Sequence, residues 1–326
     1  MKKEEYKKFP EYDFSIKAIE KLKKNPWPKY EFSENPLEFS SKITSSILKE
    51  FEIFPNLLRL LKPNQFKFKV FRAREVNSFT NIDLFTEHTY PPINLTKFGR
   101  CNFPSHPVFY GSNNPLTALI EAAGYEDYKD KFFCISRWSI KESDKDLILE
   151  NYLHTKLDKI NGFEVLANTE IDNFNKSIDN SLTESQKKGL KEYLKFLSDS
   201  FINDDNYTVS ASLAHRTIYA PHKFKTDILV YPSKQTQMRS VNFAVNPNFV
   251  DNEMMIEKFY FVKLNSYNPE NAEFNLTFTK HGTIMNNMIL WKDLHPEDTE
   301  YKEEFMKDFK DVLPEKYKFN IEKNVT

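Results

Sequence analysis

The 326 residues, 40% hydrophobic and 15% aromatic, suffice for a packed core, while 46 basic against 47 acidic side chains give no large positive field to hold a nucleic-acid backbone. Cys101 and Cys134 are the only thiols, too few for a disulfide framework or a Cys-rich zinc site and consistent with a reducing, cytoplasmic location. No run of 18 apolar residues occurs, and the Lys-rich start MKKEEYKKF leads into no apolar stretch, which argues against membrane spanning and secretion.

Residues 1 to about 35 are Lys/Glu-rich and broken by Pro10, Pro26 and Pro28, which predicts a short helix and a surface arm. Ile43, Ile47, Leu48 and Phe51, then Leu57, Leu60 and Leu61, recur at helical spacing, so one or two helices are expected between Pro36 and Leu61. Residues 1–65 are thus read as an N-terminal helical extension. At Phe66 the pattern changes to alternation, FKFKVFRAR, a strand with Phe66, Phe68 and Val70 on one face. It opens a main domain over 66–265.

A polar loop from Asn77 to Lys97 leads to FGRCN, a short strand PVFYGS and a helix beginning NNPLTALIEAA. Asn114 suits the N-cap and Pro115 the first helical position, where its missing N–H costs nothing. KFFCISRWSI (131–140) has strand composition. The stretch from about 141 to 205 is a helical elaboration, with a short helix expected near Leu147. A long helix follows the capping-box pair Thr183 and Gln186, its apolar face formed by Leu190, Tyr193, Leu194, Leu197 and Phe201. TVSASLAHRTIYA predicts a further helix, DILVYPS and SVNFAVNP predict strands, and strands near 257–264 and 274–279 precede a charged helix at roughly 299–311. Residues 266–326 are expected to pack on the same domain. Because strands and helices intersperse without regular βαβ alternation, the fold class is α+β with a mixed β-sheet core and surrounding helices. Neither G-x-G-x-x-G nor G-x-x-x-x-G-K occurs among the six glycines.

The densest functional text is GRCNFPSHPVFYGSNNPLTALIEA, which spaces Arg100, Tyr110 and Glu121 across a loop, a strand and a helix. A guanidinium fork in a loop suits a phosphate or carboxylate as well as an ordinary salt bridge. Tyr110 ends a strand and offers its ring to a flat ligand or to the core. Glu121 sits in an apolar helical run, where an ionised carboxylate is expensive to bury without a purpose; a functional carboxylate and a solvent-facing one are both open. A second patch, DILVYPSKQTQMRSVNFAVNP, brings Ser233 out of a strand after Pro232 and then offers Asn242 and Asn246. Arg72 and Arg74 in FRAR are further cations for the same cleft, and Arg72 is kept as a secondary candidate. His215 and His222 lack metal-ligand spacing, and Cys101 has no evident base to activate it.

Together these patches resemble the RES domain, the toxin component of RES-Xre toxin–antitoxin systems, in its longer form. The G-R-x-N element corresponds to Gly99, Arg100 and Asn102, P-V-x-Y to Pro107, Val108 and Tyr110, and the A-L-x-E helix to Thr117–Glu121. Y-P-S corresponds to Tyr231–Ser233, and N-x-A-x-x-P to Asn242, Ala244 and Pro247. The resemblance covers about residues 66–250, apart from about 141–205.

It implies an ADP-ribosyltransferase-like fold that binds NAD as substrate, with no prosthetic group and no metal, and breaks its nicotinamide–ribose bond. The implied catalytic residues are Glu121, Arg100, Tyr110 and Ser233; the implied NAD-binding set is Arg72, Arg100, Asn102, Tyr110, Ser233 and Asn242. An Xre-type antitoxin is the implied protein partner. Water, phosphate or a protein side chain can accept the ADP-ribosyl group in this family, so a glycohydrolase or phosphorylase, a transferase acting on a protein, and a catalytically silent nucleotide-binding module stay open. Nicotinamide leaves NAD as a neutral molecule, so one carboxylate suffices where an O-glycosidase needs two.

Overall fold

The computed structural model describes residues 9–55, 57–65, 69–124, 131–165, 167–168, 176, 182–222, 224–268, 273–286, 288–295, 307–309 and 320–321. In chain order its main elements are α1 (Tyr12–Lys24), α2 (Pro36–Phe51), β1 (Leu58–Leu61), β2 (Lys69–Glu75), β3 (Phe109–Ser112), α3 (Pro115–Ala123), β4 (Phe132–Ile140), β5 (Leu147–Asn151), α4 (Glu184–Asn203), α5 (Thr208–Ile218), β6 (Ile228–Pro232), β7 (Val241–Val245), α6 (Pro247–Glu253), β8 (Met254–Asn268), β9 (Glu273–Met285), β10 (Met288–Asp293) and β11 (Asn320–Ile321). The class is α+β. Among the described residues no helix is long and apolar enough to cross a membrane.

The chain divides into two compact units interleaved in sequence. Unit 1 comprises Met1–Leu60, Pro92–Val108 and Leu147–Pro232, so the N-terminal helices belong with β5, α4, α5 and β6. The capping box forms as expected: Thr183 Oγ1 accepts from Gln186 N–H at 3.1 Å while Gln186 Oε1 accepts from Thr183 N–H at 2.9 Å, which starts α4 sharply. Helix α1 approaches α4 so closely that a Cβ at Gly189 would meet Ser15 Oγ at 2.5 Å. Phe51 of α2 stacks on Tyr193 of α4 with ring centroids 3.9 Å apart, and Ser40 Oγ donates across to Ser212 O of α5. Strands β5 and β6 pair in parallel and are buried at every position.

Unit 2 comprises Leu61–Pro91, Phe109–Asp146 and Ser233–Thr326. Its strands run in the order β7-β3-β2-β4-β8-β9-β10, each neighbouring pair antiparallel, with β11 added in parallel to β9. Leu116, Leu119 and Ile120 of α3 pack with Phe71, Phe133, Ile135, Tyr260 and Val262 of the sheet, each such side chain contributing about 1.5–3 kcal/mol on burial. Strand β3 is wedged against β2: a Cβ on Gly111 would lie 2.4 Å from Val70 Cγ1. Asp308 is bound by Lys69 of β2 at 2.6 Å and Arg137 of β4 at 2.8 Å, and Tyr260 of β8 donates to it as well.

Three sequence expectations are corrected. Leu58–Leu61 forms strand β1 and Leu147–Asn151 forms strand β5 where helices were expected. Both are short apolar runs whose periodicity does not separate a buried strand from a buried helix. Strands β8 and β9 extend well past 257–264 and 274–279, and β10 was not anticipated, because long antiparallel strands carry exposed polar residues that dilute the apolar signal. Phe66 and Phe68, and most of 299–311, lie outside the described residues.

Candidate active site

In unit 2 the site is built around Glu121. The adjacent asparagines fix where its helix starts: Asn114 Oδ1 accepts from Thr117 N–H at 2.8 Å, capping α3, and Asn113 Oδ1 accepts from Val241 N–H at 3.0 Å, tying the helix entrance to β7. Thr117 and Glu121 stand one turn apart on a single stripe of α3, and that stripe faces the segment 233–242. Thr117 Oγ1 hydrogen-bonds Ser240 Oγ at 2.7 Å, and Glu121 Oε1 accepts from both Ser233 Oγ and Asn242 Nδ2, each at 2.7 Å. Glu121 itself is exposed. Among the described residues no hydrogen bond reaches its Oε2, so one oxygen of an exposed carboxylate is anchored and the other is not.

Ser233 is 0% exposed. It opens a tight turn closed by its own N–H to Ser240 O at 3.0 Å and by Met238 N–H to its carbonyl at 2.9 Å, with Gln237 and Met238 at positive φ. Its hydroxyl accepts from Thr236 N–H at 3.3 Å while donating to Glu121. Asn242 is likewise buried, and its Oδ1 accepts from Ser112 Oγ at 2.5 Å. The serine and the asparagine thus stand behind the carboxylate and orient it.

Arg72 and Tyr110 form the second feature of unit 2. Arg72 Nη1 donates to the Tyr110 carbonyl at 2.8 Å and its guanidinium lies over the Phe109 ring at 5.3 Å. Its Nε is buried without a hydrogen-bond partner, and among the described residues no carboxylate pairs with it. Burial, with the Arg74 charge beside it, lowers its pKa to about 10 while the Tyr110 side chain opposes the shift, so it is cationic at neutral pH. A half-buried cation without an ion pair is partly desolvated at a cost and suits an anionic ligand. Arg74 is committed elsewhere, donating to the carbonyls of Glu87 and Ser78 and lying over Phe79.

Unit 1 carries Arg100 and Asn102. Arg100 Nη1 donates to Phe201 O at 2.6 Å and the guanidinium stacks on Tyr207 at 4.7 Å, which fixes the group while leaving other N–H donors unused among the described residues. Asn102 is buried; its Nδ2 donates to Lys97 O at 2.7 Å and Phe103 O at 3.0 Å, and its backbone pairs with Gly99. It shapes the Arg100 loop through these bonds from its amide N–H₂ to backbone carbonyls. Cys101 is buried. His215 is 2% exposed, with neither ring nitrogen hydrogen-bonded among the described residues, and rests against His106 at 4.7 Å.

Of the residues expected from sequence, Glu121, Ser233 and Asn242 are joined by hydrogen bonds, Arg72 and Tyr110 form a separate pair in unit 2, and Arg100 and Asn102 belong to unit 1; Ser112, Thr117 and Ser240, which hydrogen-bond around Asn242 and Ser233, were not anticipated. The period of two in a strand places Ser112 on the same face as Tyr110, a signal that was present but unused. No protein-family model matches the chain, and no curated protein matches it either.

Proposed function

We propose that the protein is a RES-type, ADP-ribosyltransferase-like enzyme that cleaves the nicotinamide–ribose bond of NAD, acting as the toxin of a toxin–antitoxin pair with an Xre-type antitoxin as partner. The observation that carries this reading is the half-anchored carboxylate. Glu121 Oε1 is bound by two buried donors on a side chain that is itself exposed, an arrangement that suits stabilising a ribosyl cation as neutral nicotinamide departs. The unpaired Arg72 supports it as a holder of phosphate charge, and Tyr110 supplies an aromatic face for nicotinamide. Glu121 acts chiefly in the transition state; Ser233 and Asn242 act through it.

The acceptor on this reading is a small molecule, water or phosphate. Departure of nicotinamide leaves a cation that a weak nucleophile traps, so no second base is required. The test is incubation of the purified protein with adenine-labelled NAD and bacterial lysate, with and without added phosphate. Free nicotinamide with label in ADP-ribose or its phosphate supports the proposal. Intact NAD rejects the activity, and a discrete labelled protein band rejects the small-molecule acceptor.

A further inference from the structure

Ser112 and Asn242 are directly opposed in the β3–β7 register, and cross-strand neighbours of this kind place their side chains on one face of the sheet. Both are buried, and Ser112 Oγ donates to Asn242 Oδ1 at 2.5 Å. A carboxamide has a donor end and an acceptor end. With Oδ1 engaged by the serine hydroxyl, the amino end is turned to Glu121 Oε1 at 2.7 Å. Turned the other way, the amide would set its oxygen against the carboxylate and its N–H₂ against the serine, which loses one hydrogen bond and creates a repulsion. Gly111 next to it lets β3 approach β2 closely enough to hold Ser112 in place.

We infer that Ser112 is a positioning residue for the reaction, acting through Asn242 by fixing the amide in its donor orientation so that Glu121 Oε1 stays anchored and Oε2 is presented to substrate. The inference rests on the proposed role of Glu121. Among the described residues the Ser112 hydroxyl bonds Asn242 and not Glu121; its effect travels through one side chain and belongs to turnover more than to binding.

The test uses the full-length chain with Ser112→Ala, Asn242→Ala and the double variant, together with Ser112→Thr and Ser112→Val, which have nearly equal volume and differ in the hydroxyl. Nicotinamide release gives kcat and KM, and the side-chain amide signals of Asn242 in a proton–nitrogen spectrum report the contact without catalysis. Ser112→Ala is expected to lower kcat about five- to tenfold, the worth of one hydrogen bond, with little change in KM. Ser112→Thr is expected to retain most turnover and Ser112→Val to lose it, and the double variant to fall no further than Asn242→Ala. Equal turnover of the Thr and Val variants, or multiplying effects in the double variant, would overturn the inference even if the Ala variant does not fold. If wild-type protein releases no nicotinamide, the proposed function fails on its own. In that case Asn242 amide signals that are the same in the Thr and Val variants overturn the positioning role, and signals that move only in Val uphold the contact.

Discussion

Ser233 donates its hydroxyl proton to Glu121 Oε1 at 2.7 Å from a position with no solvent exposure. A buried hydroxyl bound in this way orients a carboxylate that faces outward; it is not placed to attack a substrate.

Ser233→Ala is therefore expected to reduce kcat with little change in the KM for NAD. Loss of a hydrogen bond to a charged group corresponds to roughly ten- to a hundredfold in rate. Steady-state kinetics of nicotinamide release check this; a rise in KM at unchanged kcat would assign Ser233 to ground-state binding.

Arg72 is a half-buried cation whose Nε is enclosed without a hydrogen-bond partner. Replacing it with Met, similar in length and uncharged, is expected to abolish NAD binding while leaving the unfolding free energy within about 1 kcal/mol of wild type, because a half-buried charge without an ion pair contributes little to the fold. Calorimetric titration with NAD and urea unfolding measure the two effects. A large loss of stability would show that Arg72 serves the fold.

Gly111→Ala places a Cβ 2.4 Å from Val70 Cγ1. The strands must separate or Val70 must leave its rotamer, a cost of about 1–3 kcal/mol. Urea unfolding should show that loss, and Val70→Ala combined with it should return part of the stability.

The elements around the site were legible because local rules agree there. Asn114 and Pro115 announce α3, and the Thr183–Gln186 box announces α4. Glu121 stood out as a carboxylate in an apolar helix. Its partners were legible only by resemblance, since the contacts to Ser233 and Asn242 span 112 and 121 residues of sequence. Residues 58–61 and 147–151 misread as helical because pairing with other strands, not local periodicity, decides their state. The surroundings of Asn102 were equally hidden: nothing in GRCN shows that its amide N–H₂ turns back onto Lys97 and Phe103.

His88, His154 and His215 are each lowered to about 4 by burial, from an ordinary value of 6.5. Between those values the unfolded chain binds more protons than the folded one, so the stability from each neutral ring is complete above pH 6.5 and is lost as pH falls toward 4. His215→Phe removes one such group along with two unpartnered ring nitrogens. It is expected to match wild type at pH 7.5 and to be more stable at pH 5, by up to about 2 kcal/mol. Urea midpoints at pH 7.5, 6 and 5 test this, and parallel pH profiles for the two proteins would refute it.

The most direct test of the central claim compares wild type with Glu121→Gln in two assays on the same preparations, NAD binding by calorimetry and nicotinamide release by product separation. Glutamine keeps the shape of the side chain and an oxygen to accept from Ser233 and Asn242 but deletes the charge that faces the forming cation. The account predicts NAD affinity within a few-fold of wild type and nicotinamide release lower by at least about a hundredfold. Nicotinamide release by Glu121→Gln at the wild-type rate would contradict it.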